Sequence, residues 1–348
     1  MKKFLQFAFI IAFSLPTILL TAGNPDRQGE AGASELLLNP WARSAGFHSM
    51  NTSSAFGVEA MRMNVAGIGR IEGSELHVAN TRLYEGSTLG VNALGFAKRG
   101  KGNGAWAISL VSVNFGDIPV TTTNQPAGTG GTYSPGFFHL GIGYAHTYEN
   151  KISVGILLRT ISESLPSISA FGVAIDAGVQ YVSGPQDNFR LGISLRNVGT
   201  PMKFGGEGLA IKVTNPEVET IQFKVESRAQ KFELPSVLHI GVSYDIHLQQ
   251  DLMVRALANF TSNAFARDEA GVAAELNYRS QFALRLAYKR DIGPAGSSLD
   301  NVYTGLAGGA SVVFPLKKDG GRKLGIDYGY RATNPFRGTH NISLRFLF

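Results

Sequence analysis

The sequence predicts an all-β protein, a transmembrane antiparallel β-barrel of about 14 strands closed around a small N-terminal plug. Three observations predict it. Segment after segment alternates apolar and polar residues with period two. The connections between those segments alternate between brief and long. Beyond the first 22 residues no run of about 18 apolar residues offers a spanning helix, which leaves the barrel as the only way into a bilayer. Composition agrees: 42 of 348 residues are glycine and only 17% are charged, as suits strands with one face for lipid and one for a polar interior.

Residues 1–22 read as a secretory signal peptide. Lys2 and Lys3 form the basic start, Phe4 to Leu20 the apolar run, and Leu20-Thr21-Ala22 a cleavage site. Residues 23–75 are the N-terminal segment and plug. They open with the polar stretch Gly23 to Gly32, carry a helix-like run at Ser54 to Met63 and turn at Asn64 to Gly69. Leu36, Leu37, Leu38, Trp41, Phe47 and Phe56 need burial, which the lumen of a barrel supplies.

Residues 76–348 form the barrel, with strands expected at 76–83, 88–98, 104–115, 137–147, 151–163, 168–183, 189–197, 235–247, 251–261, 268–278, 281–290, 304–315, 322–331 and 340–348. In Val237 to His247, Leu238, Ile240, Val242, Tyr244 and Ile246 share one face, while His239, Gly241, Ser243 and Asp245 share the other. Gln281 to Lys289 repeats the scheme, with Phe282, Leu284, Leu286 and Tyr288 opposite Ala283, Arg285 and Lys289. Lys98 to Gly104, Glu149-Asn150, Gly184 to Asn188, Leu248 to Gln250, Arg279-Ser280 and Leu316 to Gly321 are the brief, periplasmic connections. Gly116 to Gly136, Val198 to Leu234, Ser262 to Arg267, Asp291 to Tyr303 and Ala332 to Thr339 are the longer, external ones. Within the longest, Glu219 to Ala229 is expected to form a strand extension or hairpin above the membrane. The final segment ends on alternate apolar residues and a terminal Phe348, similar to the C-terminal strand signal of outer-membrane proteins.

The chain has no cysteine, which excludes disulfides, thiolate catalysis and a lipidated N-terminal cysteine. Its formal charge of +6 comes from scattered basic residues without a run or recognition helix, so no nucleic-acid partner is expected. No His-x-x-x-His pair, Gly-x-Ser-x-Gly elbow or phosphate loop occurs, so no catalytic, metal or cofactor residue is assigned and no enzyme is expected. The chemistry lies in inward-facing charges of both signs: Arg159, Asp176, Arg190, Arg196, Asp245, Arg255, Glu275, Arg285, Asp327 and Arg345. These are expected to form a lumen network of ion pairs that holds the plug. Gly308-Gly309 reads as a site of close packing.

Two N-terminal stretches, Glu35-Leu36-Leu37-Leu38-Asn39-Pro40-Trp41-Ala42-Arg43-Ser44-Ala45-Gly46 and Met63-Asn64-Val65-Ala66-Gly67-Ile68, resemble the opening of the PorV/PorQ family of the Bacteroidota type IX secretion system. Val65 and Met63 stand where that family usually has proline and tryptophan. The resemblance marks Trp41, Ala42, Arg43, Asn64, Ala66 and Gly67 as a plug motif. It implies a non-enzymatic protein-secretion component in the bacterial outer membrane that binds the translocon and the C-terminal domains of cargo proteins at its extracellular mouth. The loops Gly116 to Gly136 and Val198 to Leu234 would then make the contacts. The barrel with its plug is also similar to the FadL family, which implies the alternative: a transporter of hydrophobic small molecules. Outer-membrane lipid is a partner on either reading, and an apolar ligand or detergent in the lumen fits the second.

Overall fold

The computed structural model describes residues 27–214, 222–293, 301–316 and 321–348; the signal-like residues 1–22 lie outside them. Fourteen strands close into one antiparallel barrel. They are β1 (Ser74–Arg82), β2 (Gly90–Arg99), β3 (Gly104–Asn114), β4 (Gly136–Tyr148), β5 (Ile152–Leu165), β6 (Ile168–Ser183), β7 (Phe189–Gly199), β8 (Val237–Gln249), β9 (Leu252–Asn263), β10 (Glu269–Tyr278), β11 (Phe282–Asp291), β12 (Tyr303–Pro315), β13 (Lys323–Thr333) and β14 (Thr339–Leu347). Every strand pairs with its chain neighbours, and β14 returns to β1 with Val78 opposite Leu344. Closure leaves no free edge, the condition for a sheet to satisfy its backbone in lipid.

The period-two pattern becomes an inside and an outside. Along β11, Leu284, Leu286 and Tyr288 are exposed on the outer wall while Ala283, Arg285 and Ala287 are buried toward the lumen. Ile142, Ile156, Leu158 and Val272 continue the outer apolar surface around the barrel. Trp106, Tyr144, Tyr148, Tyr181, Tyr244 and Tyr278 ring the end that carries the tight turns, also exposed. Solvent-exposed aliphatics in this number have no place on a water-soluble protein. An apolar belt with an aromatic girdle on a closed barrel is the construction of a bacterial outer-membrane protein. Leu286 is 68% exposed in the middle of β11, so Leu286→Arg is expected to cost about 2–4 kcal/mol if it lies at the bilayer midplane. Refolding yield against urea in lipid vesicles checks this, and a variant as stable as the parent would place Leu286 outside the apolar belt.

The loop sorting holds only in part: the external connections 264–268 and 334–338 are no longer than the periplasmic connection 184–188, and one external turn is shorter still. The external turn between β5 and β6 consists of residues 166–167 alone, because these two strands run past their neighbours and keep pairing to Leu165 opposite Ile168. The expected hairpin above the membrane is present: Ala210–Thr214 pairs with Gln222–Glu226, outside the barrel sheet.

The N-terminal segment runs through the lumen from one mouth to the other. At the external end Gly32 donates to the Glu233 carbonyl at 3.0 Å, in the loop between β7 and β8. At the periplasmic end Arg70 donates to the carbonyls of Asn150 and Lys151 at 3.0 and 2.8 Å. Between them lie the short helices α1 (Ala42–Gly46) and α2 (Ala60–Met63), with a 3-10 turn at Gly57–Glu59 before α2 and another at Val65–Arg70 after it. Leu36, Trp41 and Phe47 are buried as expected, and Phe56 is half-buried. Leu37 departs from the expectation: it is 46% exposed because it faces an open cavity at the external mouth.

Candidate functional site

The resemblance-derived plug residues fasten the plug, some to the wall and some to the plug itself. Asn64, fully buried, makes the most connections. Its side chain accepts from the Ala66 backbone N–H at 3.2 Å, capping the 3-10 turn that follows. Its amide donates to the Thr52 carbonyl at 3.1 Å and to the Val179 carbonyl of β6 at 3.0 Å. Gly67 packs against the Ala55 carbonyl, and a Cβ there would lie 2.0 Å from that oxygen. The Trp41 ring stacks on His77 of β1 with centroids 4.4 Å apart, and the Ala42 N–H donates to Ser343 of β14 at 2.9 Å. Arg43 turns inward on the plug itself, pairing with Glu59 and lying 3.8 Å above the Phe56 ring.

Sequence reasoning missed several residues that fasten the plug. Glu59 completes the Arg43 pair. Gln180 of β6 donates to the Ala55 carbonyl at 2.9 Å, and Asn341 of β14 donates to the carbonyls of Asn39 and Pro40 at 3.1 and 3.2 Å. The only signal for Gln180 and Asn341 was their phase: both lie on the polar alternation of their strands, a property they share with residues that touch nothing in the plug.

Most of the inward charges come together as one belt. Asp245 of β8 accepts from Arg190 of β7 at 3.1 Å and from Arg255 of β9 at 2.6 and 2.7 Å. Arg255 also lies 3.4 Å from Glu275 of β10, which accepts from Arg285 of β11 at 2.6 Å. Arg285 donates to Ser311 of β12 at 2.7 Å, Ser311 donates to Asp327 of β13, and Asp327 accepts from Arg345 of β14 at 2.6 and 2.9 Å. One polar side chain from each of eight successive strands thus forms a continuous chain of contacts along the inner wall. Alternating signs are what let so many charges be buried together.

Asp176 and Arg196 belong to a separate cluster. Arg159 donates to Asp176 at 2.7 Å and to Asn197 at 2.8 Å, and Arg196 stands 3.9 Å from Asp176. This cluster fills an irregularity in the wall, where the β6–β7 register shifts between Ile175 and Ala177 and Asn197 adopts a positive φ of 58°. The Asn197 N–H, released from the ladder, donates to Asp176 at 2.7 Å. The bulge therefore keeps its backbone satisfied through a charged side chain.

Open spaces flank the plug toward both mouths. The external cavity, about 470 Å³, is lined by the apolar Leu37, Leu38, Met63 and Val237 and by the polar His48, Tyr303, Lys289 and Arg331. The periplasmic cavity, about 630 Å³, is lined by Ser53, Phe56, Arg70, Gln180, Asp187 and Arg190. At its rim a hydrogen bond from Lys151 at 2.6 Å holds the Asp187 carboxyl below the usual carboxylate range. The plug occupies the lumen between these spaces, so anything passing from one to the other must move it or go around it.

No protein-family model matches the chain, and no curated protein matches it. Solved structures do. The toluene transporter TodX of Pseudomonas putida superposes with a TM-score of 0.52 at 12% identity, covering 89% of this chain and 97% of that one. The monoaromatic hydrocarbon channel CymD gives 0.50 at 14% identity, over 89% and 97% of the two chains. A FadL homologue of Pseudomonas aeruginosa gives 0.52 at 11% identity, over 88% and 98%. At such low identity the likeness establishes a shared fold, a 14-strand barrel of the FadL type.

Proposed function

We propose that the protein is a plugged outer-membrane channel that admits small, largely apolar molecules, and that it is not an enzyme. The observation that carries this reading is the arrangement of the lumen. A plug held by many polar contacts separates an external from a periplasmic cavity, in a fold shared with proteins described as a toluene transporter and a monoaromatic hydrocarbon channel. The outer cavity places Leu37, Leu38, Met63 and Val237 where an apolar solute would arrive. Trp41, Asn64 and the eight-strand belt would then hold the gate in place, with ligand binding offsetting part of the cost of loosening it.

A second reading, a secretion component like the PorV proteins, draws on the resemblance of the plug sequence and on the external hairpin. On that hairpin Ile211, Val213, Phe223 and Val225 share one face, and all are exposed. Four apolar side chains above the membrane are suited to contact with a translocon or cargo protein.

One experiment separates the two. The tagged chain is extracted from its native outer membrane in mild detergent, and bound proteins and bound small molecules are both identified by mass spectrometry. A lone barrel carrying a near-stoichiometric apolar compound is the expected result. Recovery of stoichiometric large protein partners with no such compound would replace the channel reading with secretion.

A further inference from the structure

The external cavity contains buried hydrogen-bond donors that no described residue uses. Arg331, near the external end of β13, is 5% exposed, and its Nε and Nη2 atoms have no hydrogen-bond partner among the described residues. Its guanidinium lies 4.7 Å from the centroid of the Tyr303 ring, whose hydroxyl is likewise buried, lies toward Tyr84 and has no well-aligned hydrogen bond. Edge-on to the same ring, with centroids 5.7 Å apart, stands His48 of the plug, 3% exposed, with an unpartnered Nε2. All three residues line the same cavity.

A folded protein rarely leaves a buried guanidinium unpaired, because an uncompensated charge in a low-dielectric site is among the costliest features it can hold. The Glu269 carboxylate nearby does not supply the missing partner. Glu269, which also lines the cavity, is taken by Lys289 at 2.8 Å. Burial first, and then the charges of Lys289 and Arg331, hold the His48 imidazole well below its ordinary pKa, so that it is neutral and adds a donor without adding charge. His48 and the following Ser49 both adopt the left-handed backbone region, with φ of 53° and 58°, a conformation that non-glycine residues take at some cost.

We propose that the external cavity is a binding site for an oxyanionic group, a carboxylate, phosphate or sulfate, held by the Arg331 guanidinium with the Tyr303 hydroxyl and the His48 imidazole as further donors. A guanidinium presents two N–H groups in the geometry that two oxygens of one oxyanion accept. Leu37, Leu38 and Met63 offer an apolar surface beside the anion, so the group can arrive free or as the head of a small amphiphile. The site goes beyond admission of apolar molecules and does not depend on it: a barrel that binds an anion at its mouth and passes nothing would possess it equally.

The test is calorimetric titration of the full chain in a non-ionic detergent with three probes: octanoate, its uncharged counterpart n-octanol, and inorganic phosphate. Octanoate is expected to bind roughly tenfold or more tightly than octanol, and Arg331→Gln to remove that advantage, as loss of a charge-assisted contact does. Phosphate binding with the same dependence on Arg331 would support the site and assign it to free anions; octanoate binding alone would assign it to amphiphile head groups. Equal affinity for octanoate and octanol, no binding of any probe, or octanoate binding indifferent to Arg331→Gln would each overturn the proposal. Thermal unfolding supplies a second readout. Removing an unpaired buried charge is expected to raise or preserve the midpoint of the empty protein, whereas a sharp fall would make Arg331 a structural residue and sink the idea. Tyr303→Phe, which deletes one hydroxyl and keeps the ring, is expected to weaken octanoate several-fold with the fold intact.

Discussion

Asp327→Ala is expected to destabilise the barrel by about 3–5 kcal/mol, the cost of stranding a buried charge. Asp327 is fully buried and accepts two hydrogen bonds from Arg345, at 2.6 and 2.9 Å, and one from Ser311. Truncation leaves Arg345, itself 5% exposed, with its partner gone and lipid on the far side of the wall. Asp327→Asn keeps an acceptor and the volume but loses the charge, so it should fall between alanine and the parent. The informative comparison is the double variant Asp327→Leu with Arg345→Met, which removes both charges and refills the space. If the penalty of the single variant is the stranded charge, the double recovers most of it. The measurement is the temperature at which the purified barrel loses its compact mobility on a detergent gel. A single variant no less stable than the double would show that the belt contributes nothing through its pairing.

How much of this could be read in advance follows from what each residue has to satisfy. The strands were legible because every position in them answers to two fixed surroundings. Ile240 and Val242 must meet lipid and His239 and Ser243 must not, so the alternation cannot drift over the length of β8. The inward charges were legible for the same reason, as polar residues in the wrong phase for lipid. Which of them pair was not, since pairing needs the register. Arg255 and Glu275 are opposite each other across β9 and β10, and Arg285 and Glu275 across β10 and β11, and only the closed sheet says so. Asp176 and Arg196 looked like members of the same network but meet at a bulge that no periodicity announces. Leu37 reads as a core residue among three leucines, yet it faces a cavity, and hydrophobicity does not distinguish a wall from a floor. Arg331 and Tyr303 carried no signal at all, because their meaning lies in the partners they lack.

The same blindness to packing hides, Gly309 apart, the largest functional effect to be expected from a small change, in the glycines of the inner wall. A Cβ on Gly178 of β6 would lie 2.1 Å from the Asn64 side-chain oxygen, and one on Gly192 of β7 would lie 2.5 Å from the Thr52 carbonyl. Gly329 of β13 faces the Ala42 carbonyl at 2.4 Å, and Gly309 of β12 faces the Gly46 Cα at 3.1 Å. The obstacles are mostly plug backbone, which has no rotamer to change, so the plug can sit this deep only because the wall presents no side chains beneath it. Gly178→Val with Gly192→Val is therefore expected to dislodge the plug. Each overpacked site costs about 1–3 kcal/mol, and the bonds from Asn64 to the wall are lost besides. The barrel itself should survive, since Gly178 opposite Ser194 and Gln180 opposite Gly192 keep their ladder positions and valine suits a strand. The expected result is a folded barrel by gel mobility whose conductance in planar bilayers rises toward that of a chain lacking residues 27–70. A folded double variant that stays as tight as the parent would mean that the plug yields without leaving, and the barrier would then have to be sought in the wall rather than in the plug.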